Sequence, residues 1–119
     1  MKSKAEKMKD LATVRRRKIV LQKKGLVENE IGDLIEDWAD WKTLRAERSD
    51  LYGRDFYVAA AVGQEQTVIF TVKYVDFLDE VNTVGYRLKY EGKVYDIKQV
   101  DHLQDDGMFV KIKVLESDS

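Results

Sequence analysis

Alternating apolar and polar residues run through the second half of the chain and predict an antiparallel sheet. Two segments show this period of two clearly, with β-branched and aromatic residues that favour strands. Their predicted inward-facing residues are Val68, Phe70, Val72 and Tyr74 in one segment, and Met108, Val110, Ile112 and Val114 in the other. A polar turn at residues 104–107 precedes the last strand. The pattern is typical of a small barrel or sandwich.

A two-residue turn at Glu91-Gly92 is predicted to join two further strands, residues 86–90 and 93–100. The register that such a turn imposes can be checked against the side chains. It places Leu88 opposite Tyr95 on an apolar face and Arg87 opposite Asp96 on the other face. Both pairs are chemically compatible, so the sequence predicts this hairpin together with its register.

The first half of the chain contains one segment with two interpretations. Residues 18–22 predict a first strand that ends at residues 23–25 and is followed by a polar loop over 27–33. In residues 34–48, apolar side chains recur at helical spacing, which favours a helix. The alternative is a strand with a bulge or bend between Trp38 and Trp41. Of these tryptophans, one is expected in the core and the other at a subunit contact.

Residues 51–62 predict a short helix inside a long connection, because alanines follow Gly53 and Gly63 can terminate the helix. Three aromatic side chains, Tyr52, Phe56 and Tyr57, lie in this connection. They indicate either an association surface or a loop that folds back over the barrel as a lid.

The N-terminal segment is rich in lysine and arginine and runs into the first predicted strand. A short amphipathic helix or a frayed arm over residues 1–15 is plausible from its spacing. Its basic cluster is Arg15, Arg16, Arg17 and Lys18. The cluster either contacts phosphate or an acidic partner, or is simply a solvated terminus. Residues 16–115 then form one domain, and 116–119 a polar tail.

The amino-acid composition excludes most kinds of catalytic and metal-binding site. The 119 residues include no Cys and one His, so disulfides, thiolate catalysis and cysteine- or paired-histidine metal sites are excluded. The densest carboxylate cluster, Asp33, Glu36, Asp37 and Asp40, alternates with apolar residues and is expected to face solvent. Serines lie mostly in predicted tails, and no phosphate-binding glycine loop is present. We expect no enzyme activity and no cofactor.

Charge and hydropathy limit the partners. The 21 basic and 22 acidic residues nearly cancel, and a pI near 5.9 argues against a generic nucleic-acid binder. The charged N-terminus has no apolar stretch like that of a secretory signal, and no run is long enough to span a membrane. We therefore expect a protein without a leader and without a membrane partner.

Several segments, taken in chain order, resemble one known family. They are the opening strand at residues 17–22, the polar loop with Gly32, Trp38 ahead of residues 44–46, the Leu-Tyr-Gly-Arg-Asp-Phe segment at 51–56, Val72-Lys73-Tyr74 and the hairpin at 90–97. Together they resemble the siphophage head–tail joining proteins, also called head-completion, head-closure or stopper proteins. The resemblance runs from about residue 17 to residue 114. Asp55 stands where the family usually has Glu, and the N-terminal extension is longer than is typical.

The resemblance implies a mainly β fold, a small antiparallel barrel with a long loop that carries a short helix, and strands rather than a helix over residues 34–48. It also implies a dodecameric ring in the virion neck, below the portal and its adaptor protein. The ring would retain packaged DNA in its channel and receive the tail through a tail terminator or tail-joining protein, after assembly in the host cytoplasm. The long loop, about residues 49–66, would act as the stopper in the channel.

Specific residues follow from that implied role. The candidates for the channel or stopper loop are Arg48, Ser49, Asp50, Tyr52, Gly53, Arg54, Asp55 and Glu65. The interface candidates are Trp38, Trp41, Phe56 and Tyr57. Two other functions stay open: a small-barrel nucleic-acid-binding module that uses the basic cluster, and another ring component of the neck or tail, such as a tail terminator.

Overall fold

Six strands and one α-helix form the computed structural model, which describes residues 16–103 and 107–117. The strands are β1 (Arg16–Glu28), β2 (Leu34–Asp50), β3 (Val68–Lys73), β4 (Tyr86–Tyr90), β5 (Lys93–Asp101) and β6 (Phe109–Glu116). The helix α1 (Gly53–Ala60) lies between β2 and β3, and a short 3-10 helix (Asp76–Asp79) between β3 and β4. The predicted N-terminal helix, Arg15 and most of the turn at 104–107 lie outside the described residues.

The strands form one antiparallel sheet that closes on itself in the order β1-β2-β3-β6-β5-β4. Pairing of Val20–Lys23 in β1 with Tyr86–Lys89 in β4 completes the ring. Because a closed sheet has no free edge strands, the barrel avoids the unpaired backbone groups that cause aggregation. The predicted class, a small mainly β barrel with a short helix in a long connection, is confirmed.

The inside of the barrel is filled by the alternate residues that the strand pattern predicts. Phe70 is fully buried, and the rings of Tyr90 and Tyr95 lie 5.1 Å and 6.5 Å from its ring. The other fully buried large residues are Ile19, Leu21, Leu78, Leu88, Ile97, Ile112, Val72, Val110 and Val114. Tyr74 and Met108 were expected on this inner face, but each lies just beyond the end of a strand and its side chain is exposed.

The Glu91-Gly92 hairpin forms as predicted. Leu88 pairs with Tyr95 and Arg87 with Asp96, so the predicted register is confirmed. Both turn residues have positive φ, 50° at Glu91 and 79° at Gly92, as a type I′ turn requires. Glycine adopts this conformation without strain, whereas glutamate does so at some cost.

The β1–β2 hairpin is much longer than predicted. Residues 23–25 do not end the first strand, because β1 continues to Glu28, and residues 34–48 form part of one long strand instead of a helix. The register between β1 and β2 shifts where Leu21 pairs with Lys42 and Gln22 with Asp40, so Trp41 is the extra residue of a bulge. The bulge expected between the two tryptophans is therefore confirmed, and the helical interpretation is wrong.

The outer part of this hairpin leaves the barrel. Residues 24–28 of β1 pair only with β2, and the facing residues 34–38 of β2, together with the adjoining Ala39, pair only with β1. We call residues 24–39, including the turn at 29–33, the arm. Five residues per strand at about 3.3 Å each carry the arm roughly 17 Å beyond the barrel.

Candidate assembly surfaces

The arm combines exposed apolar side chains with carboxylates. Ile31 at its tip is 81% exposed, and Leu26, Leu34 and Ile35 are exposed on its strands. Between residues 26 and 37 the arm has five carboxylates and no lysine or arginine. These carboxylates are Glu28, Glu30, Asp33, Glu36 and Asp37. The sequence prediction that this acidic cluster faces solvent is confirmed for Asp33, Glu36, Asp37 and Asp40, all of which are exposed.

The turn of the arm is well ordered by hydrogen bonds of one side chain. Asn29 Oδ1 accepts a hydrogen bond from the backbone N–H of Ile31 at 3.1 Å and from that of Asp33 at 2.9 Å. The N–H of Asn29 in turn donates to the carbonyl of Asp33 at 2.9 Å. Asparagine commonly stabilises turns in this way, so the exposed Ile31 is held in a defined position.

A partly buried polar network centred on Gln22 fixes the base of the arm to the barrel. Gln22 is only 7% exposed, and its Nε2 donates to Asp40 Oδ1 at 2.8 Å while its Oε1 accepts from Arg87 Nε at 2.6 Å. The guanidinium of Arg87 stacks over the ring of Trp38, 4.6 Å from its centroid. This arrangement ties β1, β2 and β4 together where the arm begins.

The second tryptophan lies against the core. Trp41 packs partly buried on the core cluster, with the ring of Phe77 at 5.4 Å and that of Tyr86 at 5.3 Å. Trp38, by contrast, lies on the arm. The structure thus places one tryptophan at the core and the other on an outward-projecting element, while a subunit contact for Trp38 stays a proposal.

An ion pair with a tyrosine lies beside Trp41. Lys23 Nζ is 3.1 Å from Glu80 Oε2, and the Tyr86 hydroxyl donates to the same oxygen at 2.6 Å. These contacts hold the pKa of Glu80 below its usual value, with the Tyr86 hydrogen bond as the larger cause. The same contacts raise the pKa of Lys23, chiefly through its hydrogen bond to Glu80. The pKa of Tyr86 is also raised, first by burial of its hydroxyl and then by its hydrogen bond to Glu80.

We expect Glu80→Gln to lower the melting temperature at pH 7 by no more than a few degrees, since exposed ion pairs contribute little. Because the pKa of Glu80 is lower in the folded state, its stabilisation is present above its unfolded pKa, about 4.3, and is lost as the pH falls through the folded value. The difference between the wild-type protein and the variant should therefore shrink toward zero below pH 4. Thermal unfolding by circular dichroism at pH 7 and pH 3 measures it. Glu30→Gln on the exposed turn is the control, and an undiminished difference at pH 3 would contradict the prediction.

The connection between β2 and β3 covers residues 51–67 and is largely exposed. None of the residues of α1 is buried; Tyr52 before it is 85% exposed, and Tyr57 is exposed as well. The rings of Phe56 and Tyr57 contact each other edge to face at 5.7 Å. The aromatic side chains of the connection are therefore largely exposed in one copy, and both the association surface and the lid over the barrel stay predictions.

Some predicted loop residues belong to the barrel instead. Arg48, Ser49 and Asp50 form the end of β2, where Asp50 pairs with Val68, and Arg48 forms an ion pair with Asp50 at 3.2 Å. Tyr52, Gly53, Arg54 and Asp55 do lie in the connection. Glu65 lies near its end, and its Oε2 is buried without a hydrogen-bond partner among the described residues. An unpaired buried carboxylate oxygen is costly.

A groove separates α1 from the outer faces of β3, β5 and β6. Its volume is about 440 Å³, and Val58, Val62 and Ile69 supply apolar lining. Lys98, Lys111 and Lys113 also line it, together with Asp55 and Asp101. In the described part of the chain none of the three lysines forms an ion pair. Sequence analysis did not identify this groove.

A second concavity, of about 340 Å³, lies at the end of the barrel where β1 enters. Its basic residues are Arg17, Arg48 and Lys93, and Tyr90, Tyr95 and Glu91 complete the lining. Arg17 and Lys18 of the predicted basic cluster are both exposed on β1, and of the two only Arg17 lines this concavity. Arg16 begins the same strand.

Catalytic or metal-binding groups are not brought together in the described residues. His102 is exposed, and its Nδ1 lies 4.0 Å from Asp79, while Asp101 accepts from the backbone of Leu103 instead of orienting the imidazole. No group of three or more potential metal ligands occurs in residues 16–103 and 107–117. No helix in those residues is long and apolar enough to cross a membrane.

The chain is thus a small closed barrel with a projecting arm and an exposed helical connection. The sequence profile of the phage head completion proteins matches residues 12–117, and the chain belongs to that family. It is a structural protein of the phage head–tail connector and takes part in virion assembly. The family predicted from the resemblance is confirmed.

Solved structures share the fold at low sequence identity. The solution structure of protein SF1141 from Shigella flexneri 2a is 20% identical, with a TM-score of 0.65, over 90% of this chain and 98% of that one. A chain of the virion of a native gene transfer agent particle is 17% identical, with a TM-score of 0.51, over 87% of this chain and 96% of that one. Among curated protein sequences, none matched this chain.

Proposed function

We propose that this head completion protein forms a ring in the virion neck, dodecameric when assembled, which retains packaged DNA and receives the tail. The observation that carries the proposal is the β2–β3 connection, residues 51–67, which exposes aromatic side chains on a helix that buries none of its own residues. Such a surface is unusual for a chain that functions alone, because exposed apolar patches commonly mark interaction sites. The gene transfer agent chain with the same fold is part of a virion, which supports this location.

The β2–β3 connection is the proposed stopper. It begins where β2 leaves the barrel and contains Tyr52, Gly53, Arg54 and Asp55. Glu65 lies near its end, with a buried carboxylate oxygen that has no hydrogen-bond partner in the part of the chain that the structure describes. In a ring, twelve such connections would narrow the channel. Contacts between neighbouring copies would then satisfy groups that are unpaired in one subunit. Phe56 and Tyr57 would supply apolar contact area between them.

Charge supports passage of DNA through such a ring. The chain has a net charge of −1, so a channel of identical copies would not bind the DNA phosphates strongly through net charge. Many charges of both signs remain available for specific contacts with neighbours. The other proposed partners are the adaptor protein below the portal and a tail terminator or tail-joining protein, with assembly in the host cytoplasm. The proposed role needs no catalysis and no cofactor.

Removing the stopper tests the proposal. Asp50 pairs with Val68, so the two strand ends are adjacent and a short glycine–serine turn can replace residues 52–65 without opening the barrel. We expect heads that carry this variant to package DNA and then lose most of it, because the channel is no longer closed. DNase-protected DNA per head, with the variant supplied to a phage that lacks this gene, is the measurement.

The control is Val84→Ser, which changes an exposed apolar residue in the β3–β4 connection and should retain DNA like the wild-type protein. Circular dichroism of the purified variant checks that the β-rich spectrum survives. Heads that incorporate the folded variant and hold their DNA would refute the stopper role.

The basic end of the barrel favours a second candidate, a nucleic-acid-binding module. Arg17, Arg48 and Lys93 next to Tyr90 and Tyr95 combine cations with aromatic rings, as surfaces for single strands do. Arg48 is partly neutralised by Asp50 and the concavity also holds Glu91, which weakens this candidate. Tight binding of the purified chain to single-stranded DNA, falling steeply with salt, would favour it over the ring.

A further inference from the structure

We propose that the arm of one copy docks into the groove beside α1 of the next copy, so that a second copy of this chain is the occupant of that groove. The inference rests on the proposed ring and assigns its subunit contact to two surfaces. Neither surface has a partner among the described residues that would account for it. The arm exposes four large apolar side chains to solvent, and the groove is an open concavity whose three lysines form no ion pair in the described part of the chain.

The two surfaces are complementary in charge. The arm has five carboxylates and no basic residue between positions 26 and 37. The groove presents Lys98, which is exposed, and Lys111 and Lys113, which are half-buried. Asp55 and Asp101 reduce but do not cancel this positive charge, since the lining has three lysines against two carboxylates. Opposite charges on two faces steer association and fix its register.

The two surfaces also match in apolar character. On the arm, Leu26 pairs across the strands with Glu36, and Leu34 pairs with Glu28, so both leucines have a carboxylate beside them. In the groove, Val58, Val62 and Ile69 lie among the lysines in the same way. Docking would bury apolar against apolar while the carboxylates reach the ammonium groups. Burial of this kind supplies most of the driving force in association.

The geometry requires two different copies. The arm includes the first residues of β2, whereas α1 follows the last residue of the same strand. A strand of 17 residues separates these ends by roughly 50 Å. An arm therefore cannot reach the groove of its own chain. Each copy offers one arm and one groove, and head-to-tail contacts of that type generate closed rings when the rotation allows.

Disulfide trapping tests the contact directly, because the chain has no cysteine of its own. The double variant Ile31→Cys with Val62→Cys puts one thiol at the arm tip and one in the groove. In connectors assembled on heads and treated with a mild oxidant, we expect a ladder of cross-linked chains. Docking raises the effective concentration of the thiols, so the cross-linked fraction should exceed that of the control by about tenfold or more.

The control pairs Ile31→Cys with Val84→Cys, an equally exposed position outside the groove. Cross-linking no better than this control, or trapping of the groove thiol on a different neck protein, would overturn the inference. If the chain is found in the neck without arm–groove cross-links, only this inference fails. If the chain is absent from the neck, the proposed function itself fails.

A charge exchange gives an independent test. Changing Lys98, Lys111 and Lys113 to Glu should reduce the titre of infectious particles, and so should changing Glu28, Glu36 and Asp37 to Lys. All six changes together should restore at least part of the titre, because the attraction is reversed in sign but kept. Failure of the combined variant to exceed either triple variant, with circular dichroism showing that it is folded, would count against the contact.

Discussion

Phe70→Ala should lower the free energy of unfolding by about 3–5 kcal/mol, the range for truncating a buried phenylalanine. Phe70 is fully buried on β3, and the rings of Tyr90 and Tyr95 pack against it from the facing hairpin. Removing the ring leaves a cavity that a closed barrel cannot easily fill, because the backbone hydrogen bonds around the barrel fix the spacing of its strands. Urea denaturation followed by circular dichroism measures the change.

The matched controls are Phe70→Leu, which should cost only about 1–1.5 kcal/mol because most of the volume is kept, and Tyr52→Ala on the exposed connection, which should change stability little. Small domains are stable by only about 5–15 kcal/mol, so Phe70→Ala removes a large part of the total. If Phe70→Ala and Tyr52→Ala had similar effects, the packing around β3 described here would be wrong.

Gln22→Ala should lower the free energy of unfolding by about 1–3 kcal/mol, because it removes two side-chain hydrogen bonds to charged groups. Gln22 is the only link between Arg87 and Asp40 in the network at the base of the arm, as far as the described residues show. Its loss removes both hydrogen bonds at once. The arm should also become less firmly held to the barrel, because β1, β2 and β4 lose their shared contact.

Two measurements separate these effects. Urea denaturation gives the stability, and amide hydrogen exchange in residues 24–39 reports opening of the arm. Gln99→Ala, at an exposed position of β5, is the control and should change neither. Faster exchange throughout the barrel, without preference for the arm, would contradict the role assigned to Gln22.

The second half of the fold could be predicted almost completely from the sequence. Its strands have one face in the core and one in solvent, so apolar and polar residues alternate strictly, and Glu91-Gly92 fixes the register locally. The errors at Tyr74 and Met108 occurred at strand ends, where the backbone leaves the barrel and the inward direction is lost.

The helical spacing of residues 34–48 has a structural explanation. A regular strand would separate inward-facing residues by two, but the bulge at Trp41 adds one residue, so the core-packed Trp41 and Leu44 fall three apart. Trp38 lies three residues earlier still, but on the outer face beside Arg87, so it continues the repeat in the sequence only. This spacing imitates a helix over one short stretch. The resemblance to a family was needed to choose the strand, because local periodicity favoured the wrong answer.

The arm and the groove were missed for different reasons. Both faces of the arm are in solvent, so Lys23, Lys24 and Gly25 interrupt any apolar alternation and suggested an early strand end. The asparagine turn at 29–33 between two apolar pairs was the available signal for a longer hairpin. The groove could not be found in the sequence, since Lys98 and Lys113 approach α1 only through the pairing of β5 and β6.

Because of the bulge at Trp41, the length of the arm and the side chains on each of its faces can change without altering the barrel. On β2 the even-numbered residues face inward between the bulge and the end of the strand at Asp50. They face outward between the start of the strand at Leu34 and the bulge, so the one extra residue has exchanged the two faces of the strand. Adding or removing a single residue in the arm would exchange them again and present a different set of side chains. Insertions of two residues in each strand would instead lengthen the arm by about 7 Å and keep its faces. An arm of different length on this barrel therefore keeps the same side chains on each face only when the length of its strands changes in steps of two.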